Sequence, residues 1–264
     1  MEIPQIPEKF FQYAEDIKAT MKDTVRFKLK AAKDLKIWQS KVGGIPYLPI
    51  EEKYPCNNNG IPLQFLLQIN FSETPCLPGF PENGILEFYI DANDEFMGLN
   101  FDNPTQQNGF RVLYFNSVDE DESKLNTDIE AIVSHVNFNG PISEGLQFSL
   151  DFSLEKQYIT GYDYRFSKII PAVEDNFDMI DEYNDAFPHR GHRLGGYPYF
   201  TQTDPREDAP NFHDHELLLQ LDSDYFDNND AVLWGDAGVG AFFIKPDDLI
   251  KCDFSNVIYN WDCC

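Results

Sequence analysis

Four of the five histidines fall between residues 189 and 215. His189 and His192 have HxxH spacing, and His213 and His215 have HxH spacing. Either spacing can place two imidazoles on one side of a metal ion, where neutral ring nitrogens act as ligands. On a strand, HxH puts both rings on the same face. Further along, Trp234, Gly235, Asp236 and Gly238 make a compact turn. Asp236 either caps a backbone turn or acts as an acid/base beside the histidines. His189, His192, His213, His215, Trp234 and Asp236 are therefore the candidate binding residues. The competing expectation is a set of exposed loop histidines beside Arg190, Arg193, Asp214 and Glu216. No metal or cofactor is assigned.

Residues 222–230, DSDYFDNND, are dense in oxygen ligands but miss the calcium-loop pattern. Phe226 stands at the fifth position, Asp227 replaces the sixth-position glycine, and Leu233 occupies the twelfth. A solvated acidic turn is expected there, as in SVDEDESK at 117–124. GxSxG, GxGxxG and Walker A patterns are absent. No catalytic residue is assigned, and the balance leans away from an enzyme.

The chain has 45 acidic and 20 basic side chains, a formal charge of −25. Such a surface repels phosphate backbones and anionic membranes, so nucleic-acid and membrane partners are not expected. A basic protein or a cation is better matched, or else the charge serves solubility alone. Residues 1–20 lack a signal-peptide pattern, and no apolar run approaches the roughly 18 residues of a membrane span. Cys56, Cys76, Cys252, Cys263 and Cys264 form no CxxC pair. Their scatter fits reduced thiols, and with them a cytoplasmic location.

The elements that must position these residues are mostly strands. Residues 24–31 alternate Val25, Phe27, Leu29 and Ala31 with Arg26, Lys28 and Lys30, predicting a half-buried strand with a basic outer face. Further strands are predicted at 63–71, 85–91, 110–115, 129–138 and 146–152, and helices at 7–21 and 174–186. The class expected is strand-rich α+β with mainly antiparallel sheets.

Slid against itself by 152 residues, the chain matches. Gly43, Gly44, Pro46 and Tyr47 fall on Gly195, Gly196, Pro198 and Tyr199, and Leu66, Leu67 and Gln68 fall on Leu218, Leu219 and Gln220. With Asn59 on Asn211 this makes eight identities in 28 positions, where chance gives about two. After a two-residue shift, Gly84, Phe88 and Ile90 recur as Gly238, Phe242 and Ile244. The expected organisation is one compact domain, 1–264, with repeats over about 24–118 and 145–264. In each repeat a Gly-Gly pair allows positive φ, and the proline fixes a turn or edge. Gln68 and Gln220, on apolar strands, are expected to pin the GG-x-P-Y loops, or else to line a ligand cleft.

The GG-x-P-Y loop, the LLQIN strand, HRLGGYP, ELLLQLD and the late WGDAG–FFI segment resemble the YwqG-like family of bacterial proteins, over about residues 40–260. The resemblance implies a domain of unknown function with no established activity. Some relatives lie near polymorphic-toxin loci, which implies an immunity-type role. Two hypotheses follow. One is a non-enzymatic binding or immunity-type protein with an acidic surface for a basic partner. The alternative is a metal-dependent or acid/base hydrolase with its site in the second half.

Overall fold

The computed structural model describes residues 3–227 and 229–263, without the side chains of residues 174, 175, 177 and 229. Cys264 and Asn228 lie outside the described residues. In chain order the strands are β1 (Lys22–Ala31), β2 (Lys41–Gly43), β3 (Gln64–Asn70), β4 (Ile85–Ile90), β5 (Phe110–Phe115), β6 (Gln147–Gln157), β7 (His192–Gly195), β8 (Glu216–Asp222), β9 (Asp224–Phe226), β10 (Asn229–Val232), β11 (Val239–Ile244) and β12 (Ile258–Asp262). The α-helices are α1 (Ala14–Ala19), α2 (Ile129–Val133), α3 (Phe166–Ile169), α4 (Phe177–Ala186) and α5 (Pro246–Ile250). The fold is strand-rich α+β, as its sequence pattern predicts.

Ten strands form one antiparallel sheet in the order β12-β11-β8-β7-β1-β6-β2-β3-β4-β5, and β9 and β10 form a separate hairpin. The order is symmetric about the β1/β6 pair. Thr24 of β1 faces Gly195, and Gln147 of β6 faces Gly43, so Thr24 and Gln147 occupy equivalent places. Within the β1/β6 ladder, only Lys28 opposite Asp151 maps onto itself. The symmetry of strand order and register is therefore centred on that pair. β1 lies beside β7, and β6 lies beside β2.

Apolar residues of one sheet face, among them Val25, Phe27, Leu67, Phe88, Leu219 and Phe242, form the main core. Phe88 and Phe242 come from opposite ends of the strand order, yet their ring centroids are 4.7 Å apart. The sheet must curl until β4 and β11 meet, which shields its apolar face. On the other face, loops and helices cover each half. Phe10, Ile17, Phe166, Tyr183 and Phe187 build an aromatic cluster over the second half, and Leu48, Tyr54, Phe65 and Tyr89 build one over the first.

Two sequence expectations are corrected. Residues 129–138 are not a strand: Ile129–Val133 is α2, because Ile129, Ile132 and Val133 have helical spacing and pack together onto the Tyr54–Tyr89 cluster. The helix expected over 7–21 begins as a 3-10 segment, Glu8–Tyr13, and becomes α-helical only at Ala14.

Candidate functional site

The two Gly-Gly loops set the frame. Gly43 and Gly44 have φ of +67° and +71°, and Gly195 and Gly196 have +63° and +76°. Two successive left-handed residues turn the chain sharply off the end of β2 or β7, which only glycine does without strain. A glutamine from the next strand then ties the loop down. Gln68 Oε1 accepts from the Tyr47 backbone N–H at 2.8 Å, and its Nε2 donates to the carbonyls of Ile37 and Gln39. Gln220 does the same with Tyr199, His189 and Gly191. Both amides are fully buried and satisfied at each end. Pro46 is buried in its loop, and the Pro198 carbonyl accepts from the Thr160 hydroxyl.

Beside each glutamine, on the same sheet face, lies a buried cation. Lys41 faces Gln68, and Gln68 faces Glu87. Arg193 faces Gln220, and Gln220 faces Ala241. Lys41 Nζ donates to the carbonyls of Lys36 and Ile45. Burial lowers its pKa to about 8, against the opposing pull of Glu87 and Glu73. Glu87 is 0 % exposed. Burial pushes its carboxyl up to about 8, although the Tyr89 hydroxyl donates to it at 2.8 Å. The second half thus has a buried cation but Ala241 in place of the acid.

Arg193 is 1 % exposed. Its Nη2 donates to the carbonyls of His189 and Arg190, at 2.7 and 2.9 Å. Its Nε is buried without a partner. Arg26, directly opposite on β1, donates to the same Arg190 carbonyl and lies 3.7 Å from Glu155. A cavity of about 380 Å³ opens here, lined by Arg193, Arg26, Glu155, Thr24, Tyr158 and Phe187 among others. None of these was singled out in the sequence as a site residue. The available signal was Lys41 aligning with Arg193.

The histidines do not converge. His189 packs between the rings of Tyr162 and Tyr199, with Nδ1 3.2 Å from the Asn184 carbonyl, and burial lowers its pKa. His192 stacks on Phe27; its Nδ1 accepts from the Asp222 backbone N–H, and its Nε2 lies 3.2 Å from Asp224. His213 stacks on Tyr164, and Nδ1 of the buried His215 lies 2.9 Å from Asp214. β8 begins only at Glu216, so His213 and His215 are in the preceding turn and share no strand face. His192 and His215 are also buried, not exposed loop residues. Among the described residues, no three His, Cys, Asp or Glu side chains form a group able to hold a metal.

Trp234 is fully buried, stacked on Trp261 and against Gly240, with Nε1 unpartnered. Asp236 is exposed in the turn, and among the described residues no side-chain hydrogen bond places it as a cap. Within 222–230, Tyr225, Phe226, Asp227 and Asp230 are exposed and Asn228 lies outside the described residues, but Asp222 is buried. Asp222 accepts from the Gly191 N–H, Asp224 meets His192, and the chain continues as the β9/β10 hairpin.

A second charged cluster flanks the second half. Arg206, Asp204 and Asp163 are buried, with Arg165, Glu216 and Lys22 at its rim. Every charge there has an opposite partner, and Arg206 also donates to the His215 carbonyl. This arrangement holds the 160–165 and 204–216 loops on β8.

A single curled sheet with a symmetric strand order and two glutamine-tied glycine loops describes this chain. The chain belongs to the family described as Domain of unknown function (DUF1963), whose model matches residues 40–263. No curated protein matches it.

Proposed function

We propose that this protein is a non-catalytic binding protein that takes up a basic protein on its acidic surface. The supporting observation is how the fold distributes a net charge of −25. Much of the small basic complement is drawn inward or already matched. Lys41, Arg193 and Arg206 are buried, Lys22 and Arg165 meet Glu216, and Lys156 meets Asp23. The run 117–124 stays largely exposed, with Glu120, Asp121 and Glu122 turned to solvent. A magnitude of about 2–8 suffices to keep a small domain soluble. The excess favours fast, selective encounter with a cationic partner.

The same reading places the chain with the YwqG-like proteins and in the cytoplasm, as a duplicated unit whose role is of the immunity type. No helix among the described residues is long and apolar enough to cross a membrane. The hydrolase alternative has less support, because each of the four imidazoles turns to a different neighbour.

Capture from a native lysate at low salt, followed by surface kinetics at two ionic strengths, tests the proposal. The captured protein should be basic and should be released by salt, because exposed charges are screened over about 8 Å at physiological ionic strength. Replacing the acids of 117–124 by Asn and Gln should slow association more than it speeds dissociation. An acidic partner, or binding indifferent to salt, refutes the proposal. Stoichiometric zinc in untagged protein would favour the hydrolase instead.

A further inference from the structure

A buried guanidinium without a carboxylate is costly, because desolvation is not offset by a counter-charge. The two halves show what is missing. In the first, Glu87 stands two strands away from Lys41 on the same face. In the second, the corresponding place beyond Gln220 holds Ala241. Among the described residues no acidic side chain comes within ion-pair distance of Arg193, and only Nη2 finds acceptors. Burial and then Arg26 lower its pKa to about 9, against the more distant pull of Asp222 and Glu155, so it remains charged at neutral pH.

The cavity beside Arg193 has the form of a small-molecule site. Its volume of about 380 Å³ is in the range of small-ligand pockets, roughly 300–1,000 Å³. Tyr158, Phe187 and Pro188 provide apolar wall, and Thr24 and Gln157 are among its polar lining. The charges can be counted. Lys156 is matched by Asp23 at 2.6 Å, and Arg26 is partly matched by Glu155. Among the charges that line the cavity Arg193 is left over, one net positive charge at its wall; Asp222, outside the lining, acts on it from a distance and already accepts from the Gly191 and Ser223 N–H groups. A singly charged anion fits that balance. A phosphate dianion would leave negative charge uncompensated beside Glu155.

We propose that this cavity binds a small monocarboxylate with an apolar, ring-sized body, its carboxylate meeting Arg193 and Arg26. The ligand then supplies the acid that Glu87 provides in the first half. Arginine suits the task, since its planar fork donates two parallel hydrogen bonds to a carboxylate. This site is separate from the acidic surface at 117–124 and does not depend on what that surface captures.

The test is calorimetric titration of the full chain with 3-phenylpropionate, its neutral amide and phenyl phosphate. The carboxylate should bind one to one, with the amide at least about tenfold weaker, as expected for loss of a charged hydrogen bond. Arg193→Gln and the more exposed Arg26→Gln should each weaken carboxylate binding by about tenfold or more. Glu155→Gln should tighten it. If Arg193→Gln does not fold, Arg26→Gln and Glu155→Gln still decide the matter. Equal binding of acid and amide, no carboxylate binding at millimolar concentration, or no response to either of those two variants overturns the proposal. Tighter binding of phenyl phosphate than of the carboxylate overturns the assignment of charge.

Discussion

Phe88 on β4 and Phe242 on β11 are equivalent residues of the two halves, and their rings meet 4.7 Å apart across the core. Each also belongs to the one apolar cluster that spans both halves. The contact makes the halves interdependent, since neither can cover its sheet face alone. Phe88→Ala and Phe242→Ala should each destabilise by about 3–5 kcal/mol through the cavity left behind. The double variant should lose less than the sum, because the residues share one contact. Urea melts would show this, and full additivity would count against a shared core.

Gln68 and Gln220 each hold a loop by three hydrogen bonds to backbone groups 21 to 31 residues away. Replacing either by leucine leaves buried N–H and C=O groups unpaired. Each variant should lose about 1–3 kcal/mol. Unchanged denaturation midpoints in both would mean that the amides do not support the loops.

Gly43 and Gly60 both have positive φ, +67° and +75°, but different surroundings. A Cβ at Gly43 would overlap the Leu146 carbonyl oxygen, whereas none of the surrounding atoms lies within 4 Å of a Cβ at Gly60. Gly60→Ala should therefore cost only the conformational term, about 1–2 kcal/mol. Gly43→Ala must also displace backbone of the β6 approach, and should cost measurably more. Equal thermal midpoints for the two variants would contradict this.

Glu87 makes stability depend on pH. Burial raises its folded pKa from 4.5 to about 8. Between those values the folded chain keeps a proton that the unfolded chain has lost. Its contribution is thus fully present below about pH 4.5 and declines as pH rises towards 8. At most the slope is about 1.4 kcal/mol per pH unit. Lys41 acts in the next window: its folded pKa is lowered from 10.5 to about 8. The unfolded chain holds the extra proton there, so stability recovers as pH rises through that range. Glu87→Gln should be more stable than the parent at pH 8 by a larger margin than at pH 5. Chemical melts across that range measure the difference, and a margin independent of pH would exclude the buried carboxyl as its source.

Much of the frame is legible without coordinates. Gly43, Gly44 and Gln68 recur at a fixed spacing because a double left-handed turn admits little but glycine, and a buried amide must match fixed backbone groups. Those are local demands, and they leave a mark on residue identity. The alternation at 24–31 likewise reveals a strand with one buried face. It does not reveal that β1 lies beside β6 and β7 and not beside β2, because a strand's hydrogen-bonding edges are the same for any partner. The short run at 129–138 is open to either helix or strand until the Tyr54–Tyr89 cluster selects the helix. The histidine spacings suggest a shared ligand, but spacing along a chain says nothing about where loops turn their rings. Arg193 is the clearest case. In the sequence it is one charge in a loop-like segment beside His189 and His192. The 152-residue offset already sets it on Lys41, and the shifted match sets Ala241 on Glu87. Only the packed structure shows that Arg193 is buried and that, among the described residues, no carboxylate comes within ion-pair distance of it, because such a distance belongs to the packed neighbourhood and not to any stretch of chain.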